Sequence, residues 1–352
     1  MTMTLAKTLA DSGEHEIRVF GPPLMRGCEW LDEHYTPVQV DSKGSVAAGR
    51  RMRSMLRSWQ PEVVHAQDRR SGLVVTGLDR LRGGPRVVVQ TYHGVPDDVG
   101  ESWFRGMERS QPPSIYSRTV LAADAVIARQ IKRTVVPSST MGEFLHSRLH
   151  VPRERLAHID NGVHLPPAEP VVGPVRRLLF VGLLIPRKGL VDLLHALRRP
   201  GVMPVDATLT IAGDGPSRDE AEKLAQCPPL IGRVQFLGFR NDVADLMSRH
   251  DALVLPSRME QQPLVIAQAM GAGRPVLATR TGGVPEMLEI PGLPHYLASP
   301  CDVDGLATAL TRLFGSSHPD ELGRKLASRA RDRYSAAASA AAHLKLYDAM
   351  LT

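Results

Sequence analysis

In MEQQPLVIAQAMGAGRPVLATRTGGVPEML (259–288), Glu260 is an isolated acid just before a helix-like run that leads to a strand-like run and a Gly-Gly turn. Upstream, the segment LLIPRKG places Arg187 and Lys188 just before another helix, and DGP follows a strand with Gly213 and Gly215, which let backbone approach a ligand closely. Helix starts with unpaired N–H groups, glycine-rich approaches and a lysine favour a phosphate. A carboxylate among them would repel that phosphate, so its natural partner is a neutral hydroxyl. Phosphate beside hydroxyls describes a nucleotide sugar. Gly-Gly turns and a Lys-Gly helix start are each common structural features; their order on successive units is what discriminates.

The elements that must hold these residues repeat one pattern. Short β-rich runs end in Gly, Pro or Ser and lead into helical periodicity: PEVVHAQ (61–67), PRVVVQTYHG (85–94), ADAVIA (123–128), RRLLFVG (176–182), ATLTIAG (207–213), GRVQFLG (232–238), DALVLPS (251–257) and RPVLAT (274–279). Strands alternating with helices give an α/β class with mostly parallel sheets covered on both faces, and ligands then bind at the strands' C-terminal ends. Leu190, Leu193, Leu194 and Leu197 mark one helix face, and Pro216, Pro263 and Pro285 are expected at first helical positions. The proline-rich LPPAEPVVGP (165–174) reads as a semi-rigid linker.

Composition narrows the class. The chain has 352 residues, 43% hydrophobic and 23% charged, an ordinary globular balance long enough for two domains. Cys28, Cys227 and Cys301 are widely spaced without a CxxC pair, so neither a disulfide framework nor a zinc site is encoded. No signal peptide or membrane-spanning run is legible, and the expected setting is the cytoplasm. The formal charge of +6 is spread, with 22 Lys and Arg against 19 Asp and Glu up to Glu169. With aromatics at 5% and no basic tract interleaved with them, nucleic acid is not an expected partner. The densest basic cluster, GRRMRSMLRSW (49–59), reads as a surface helix with a solvated basic face; the second reading is peripheral docking on anionic lipid at the inner face of a membrane.

FVGLLIPRKG (180–189), IAGDGP (211–216), FLGF (236–239) and the 259–288 stretch, in that order, resemble the retaining glycosyltransferases of family 4. The first half resembles them through LADSGEHEIRVF (9–20), PEVVHAQ, the TYHG segment (91–94), ADAVI and IDNGVH (159–164). The resemblance implies the GT-B architecture, two Rossmann-like domains facing a cleft. The expected organisation is an acceptor-side domain over 1–165, a linker over 166–174, a donor domain over 175–334 and a final helix over 335–352 returning to the first domain. It implies transfer of a hexose or N-acetylhexosamine from a nucleotide-diphosphate sugar, a co-substrate rather than a cofactor, to an acceptor hydroxyl, by front-face displacement without a metal. Double displacement would need a second well-placed carboxylate, and none is legible.

By the same resemblance, Glu260 contacts the donor sugar and His93 faces the reacting sugar, the two catalytic assignments. Arg187, Lys188, Thr281, Gly282 and Gly283 serve the donor diphosphate. Gly182, Gly213, Asp214, Gly215, Phe239, Leu264, Val265 and Gln268 serve nucleotide and sugar. Three residues depart from the family pattern: Gln268 replaces a ribose-binding glutamate, Leu183 a phosphate-binding arginine, and His164 an aspartate. The chain also opens at what resembles the family's first helix, so either the start lies further upstream or the first sheet lacks a strand. A catalytically weakened partner subunit and, more distantly, a sugar-nucleotide epimerase are the alternative readings.

Overall fold

The computed structural model describes residues 2–22, 33–38, 46–81 and 84–352. Cys28 lies outside them. Two compact units form: Met1–Val99 with Pro112–Gly162 and Ala336–Thr352, and Gly100–Gln111 with Val163–Ser335. The expected boundary near 165 did not anticipate that Gly100–Gln111 groups with the second unit.

In the first unit a parallel pair, β1 (Val19–Gly21) and β2 (Tyr35–Pro37), stands apart from a parallel sheet of β3 (Val63–Ala66), β4 (Val87–Thr91), β5 (Arg133–Val136) and β6 (Leu156–His158), hydrogen-bonded in that order. β4 is VVVQT, buried along its whole length, as an internal strand covered on both faces must be. The last helix, Ala336–Leu351, packs Tyr347 against Val87, Val89 and Val135, and its Ala340 meets Leu5 and Leu9 of the helix Thr2–Asp11. The expected strand ADAVIA is instead helical, inside Ile115–Gln130. Its buried residues, Leu121, Asp124, Ala125 and Ala128, recur at helical spacing, and Ser114 caps the start by accepting from the Ser117 amide. The basic segment lies on the helix Val46–Trp59, where only Ala48 and Leu56 are buried.

The second unit has one six-stranded parallel sheet: β7 (Arg177–Val181), β8 (Thr208–Ala212), β9 (Val234–Gly238), β10 (Ala252–Leu255), β11 (Val276–Thr279) and β12 (Tyr296–Ala298). The order across it is β12-β11-β10-β7-β8-β9. Chain order therefore reverses between β7 and β10, the switch point where doubly wound sheets open a crevice for ligands. Leu190, Leu193, Leu194 and Leu197 all point into the core from the helix Leu190–Leu197, each burial contributing about 1.5–3 kcal/mol relative to exposure. The prolines sit slightly off their expected places: Pro216 precedes the N-cap Ser217, Pro263 is itself an N-cap, and Pro285 is the second residue of Val284–Leu288. Among the described residues no helix is long and apolar enough to cross a membrane.

Candidate functional site

The loops after β7 and β10, which flank the switch point, are stitched together. Arg258 donates through its side chain to both carboxylate oxygens of Asp192, at 3.0 Å each, and its amide donates to the Arg187 carbonyl at 2.8 Å. Gly189, at φ +67°, lets the two loops touch, because a Cβ there would lie 2.0 Å from the Pro256 carbonyl oxygen. The short helical turn Pro186–Lys188 then presents Lys188 beside Glu260, and Lys188 Nζ donates to Glu260 Oε1 at 2.5 Å. Both side chains are largely buried, 24% and 11% exposed, so each charge is balanced by the other. Arg187 folds back, donating from Nε to the Met259 carbonyl at 3.3 Å.

The Gly-Gly turn lies against the same loop. Gly282 has φ +46°, and a Cβ there would lie 1.8 Å from the Glu260 carbonyl oxygen. The Gly283 amide donates to the Gln261 carbonyl at 2.7 Å. Around the turn, the Thr281 hydroxyl and both polar atoms of the Gln261 side chain are buried without a hydrogen-bond partner among the described residues. Buried polar groups are normally paired, so three unpartnered atoms around one turn set it apart from the surrounding core.

A second carboxylate, which sequence reasoning missed, reaches this turn. Glu101, on the one-turn helix Glu101–Phe104, accepts the Gly282 amide at Oε1 (2.9 Å) and Arg105 Nε at 2.6 Å, while Arg105 Nη2 donates to the Gly282 carbonyl at 3.1 Å. The pair thus holds both backbone polar atoms of one glycine. Burial pushes the Glu101 carboxyl above the ordinary carboxylate range, against the opposing pull of the Gly282 amide and the Arg105 and Arg187 guanidinium groups. The only trace in the sequence is an acid and an arginine four residues apart in ESWFR, a spacing shared by many surface helices.

The residues assigned to nucleotide and sugar lie along the C-terminal ends of β7, β8 and β9 and on the helix after β10. Gly213 and Gly215 both have φ +152°, and Cβ atoms there would lie 1.8 Å from the Gly182 carbonyl oxygen and 2.6 Å from that of Leu184. Glycine is therefore required for these strand ends to pack, whatever ligand they meet. Asp214 folds onto its own loop, accepting from the Gly215 amide at 2.8 Å and Arg218 at 3.2 Å. Phe239 and Leu183 are 83% and 63% exposed. Leu264, Val265 and Gln268 are half-buried on the helix Leu264–Gly271.

His93 belongs to the first unit, just past β4. Its Nε2 lies 3.3 Å from Gln67 Oε1, and burial is the main cause that lowers its pKa to about 4, so it is neutral near pH 7. Tyr92 beside it donates to Asp124, which also receives Arg69 through both Nε and Nη2.

The sequence matches the family description "Glycosyltransferase Family 4" over residues 1–165 and "Glycosyl transferases group 1" over residues 175–316. It is 30% identical over 274 residues to glycogen synthase of Mycobacterium tuberculosis, covering 75% of this chain and 63% of that protein. It is 36% identical over 131 residues to N-acetyl-alpha-D-glucosaminyl L-malate synthase of Bacillus anthracis, covering 37% of this chain and 33% of that one. The chain thus aligns with less than two thirds of the length of these relatives. Sucrose-phosphate synthase from Thermosynechococcus elongatus superimposes with a TM-score of 0.76 over 98% of this chain and 91% of its own, at 20% identity. HepE of Anabaena in complex with UDP gives 0.78 over 99% and 95%, at 19% identity. These likenesses show the GT-B fold. With the sequence matched in both halves and the fold shared along its length, the chain belongs to the family 4 glycosyltransferases.

Proposed function

We propose that this protein transfers a hexose or N-acetylhexosamine from a nucleotide-diphosphate sugar to an acceptor hydroxyl, with retention of anomeric configuration. The observation that carries the reading is the Lys188–Glu260 pair at the switch point, set beside the unpartnered polar groups of Thr281 and Gln261. A diphosphate draws Lys188 away from Glu260 and accepts hydrogen bonds from its ammonium group. Glu260 is thereby released to accept from sugar hydroxyls. Once the donor is bound, charge developing on the leaving diphosphate is met by Lys188 and Arg187 rather than by a divalent metal, because cations already held against it in a poorly solvated site stabilise that charge as it forms. Neutral His93 serves as a hydrogen-bonding group toward the reacting sugar. The setting proposed is the cytoplasm.

Thermal-shift titration with UDP, GDP, ADP, dTDP and their common sugar derivatives tests the reading. A ligand at 100 times its dissociation constant adds about 2.7 kcal/mol, several degrees in melting temperature. The expected result is a shift with one base that disappears in Lys188→Ala. Product NMR then reads the anomeric configuration. Absence of any shift removes the donor assignment, and an inverted product removes retention.

A further inference from the structure

A carboxylate kept only to fasten a turn would be expected to have both oxygens satisfied. Glu101 does not: it is 8% exposed, Oε1 takes the Gly282 amide and Arg105, and Oε2 is buried with no hydrogen-bond partner among the described residues. Leaving a buried charged group half-paired costs stability, so this seat holds its occupant less firmly than its donors could. Those donors form an anion site. They are a backbone amide on a glycine at φ +46° and the Arg105 guanidinium, with the Arg187 guanidinium near enough to act on the carboxylate and the unpartnered Thr281 hydroxyl in the same turn. A phosphate suits this set better than a carboxylate does, because its oxygens offer acceptors to more donors at once. Gly106, at φ +73°, closes the short helix that carries the acid.

We infer that Glu101 is an internal stand-in for a donor phosphate: its carboxylate occupies the Gly282 amide and Arg105, and a nucleoside diphosphate must displace it to bind. The inference rests on the donor-site reading above. Displacement leaves Arg105 free to pair with the incoming phosphate, supplying a guanidinium that the leucine at position 183 does not. The docked Glu101 lowers apparent donor affinity by the fraction of molecules in which the seat is free.

Calorimetric titration of wild type, Glu101→Gln and Lys188→Ala with UDP, GDP, ADP and dTDP, with the matching nucleosides and inorganic pyrophosphate as controls, tests this. In Glu101→Gln the cognate diphosphate is expected to bind about tenfold more tightly, with the nucleoside unchanged. A parallel gain for pyrophosphate shows that the phosphates alone compete. In the wild type, hydrogen exchange of residues 100–111 rises on adding the cognate diphosphate, a readout independent of any variant's folding. Unchanged or weaker binding in Glu101→Gln, or increased protection of 100–111, overturns the inference and makes Glu101 a fixed brace of the turn; the donor reading stands if Lys188→Ala still abolishes binding. No binding by wild type or Glu101→Gln overturns both.

Discussion

Lys188 Nζ lies 2.5 Å from Glu260 Oε1, joining loops that leave the two strands flanking the switch point of the second sheet. In this arrangement each side chain compensates the other, so binding a diphosphate exchanges one partner of Lys188 for another instead of filling an unpaired site.

The exchange separates binding from transfer. In Glu260→Gln, Lys188 loses its anionic competitor, so nucleoside diphosphate affinity should hold or rise a few-fold while the transfer rate falls about 100-fold, the scale of losing one preorganised group in a reaction site. In Lys188→Gln the affinity should fall by about 10- to 100-fold, corresponding to a charge-assisted hydrogen bond worth about 1.5–3 kcal/mol. Calorimetry and initial rates measure the two effects, and equal losses of affinity in both variants would contradict the exchange.

Tyr92 and Arg69 both bind Asp124, which is 2% exposed on the helix Ile115–Gln130. This helix covers the first sheet next to His93, so the cluster positions that residue through its neighbour. Tyr92→Phe should cost the first unit about 1–2 kcal/mol, one hydrogen bond to a buried charge. Asp124→Asn, which breaks the charge-assisted bonds from Arg69 while that side chain, 38% exposed, still reaches solvent, should cost about 2–3 kcal/mol. Urea unfolding followed in the first unit measures both; a larger loss in Tyr92→Phe would reverse the assignment of Asp124 as the hub.

Three histidines set the acid limit of the first unit. His65 lies within hydrogen-bonding reach of Tyr347 (2.6 Å) and Thr91 (2.7 Å), and its ring sits 5.4 Å from that of His343. His343 Nδ1 lies 2.7 Å from the Ser339 carbonyl, to which it donates, leaving Nε2 as a buried unprotonated nitrogen. Burial is the first cause lowering the pKa of His65, His343 and His93, the last to about 4. A base whose folded pKa is depressed is neutral in the native state while its unfolded form takes up a proton below about 6.5. Its contribution is fully present above that pH and is lost as pH falls toward the folded pKa. Stability should therefore decline as pH falls below about 6.5, for His93 down to about 4, by up to about 1.4 kcal/mol per pH unit for each histidine still neutral in the native state. Denaturation at a series of pH values checks the slope, which should shrink in His343→Phe; an unchanged slope would remove His343 from the set.

What the sequence revealed and what it hid divide along physical lines. Apolar runs such as RRLLFVG and DALVLPS became strands because burial on both faces admits few other uses for so many branched side chains. The sequence placed Lys188 and Glu260 at C-terminal strand ends but hid their pairing, which depends on β7 and β10 being neighbours where the order reverses. ADAVIA was misread because six residues cannot separate a strand from one turn and a half of buried helix; its distinguishing features, the Ser114 cap and the salt bridge from Asp124 to Arg69, lie at its borders or far off in sequence. Glu101 was hidden for a related reason. Its partner, Gly282, is 181 residues away, and a backbone amide leaves no mark of its partner in the residue code.

Glycines of positive φ give the last prediction, because two of them share a backbone angle and differ in surroundings. Gly201 has φ +75° with nothing within 4 Å of where a Cβ would be, whereas Gly189 has φ +67° with the Pro256 carbonyl oxygen 2.0 Å from that point. Gly201→Ala should therefore cost only the left-handed penalty of an L-residue, about 1–2 kcal/mol. Gly189→Ala adds a clash with backbone that cannot rotate away, so the loop carrying Lys188 must move off the loop carrying Glu260. The expected result is a substantially larger loss of stability together with weakened nucleoside diphosphate binding, while Gly201→Ala keeps wild-type affinity. Denaturation and calorimetry on the two variants separate angle from contact: equal stability losses with equal affinities would mean that the Gly189 contact does not set the geometry of the Lys188–Glu260 pair.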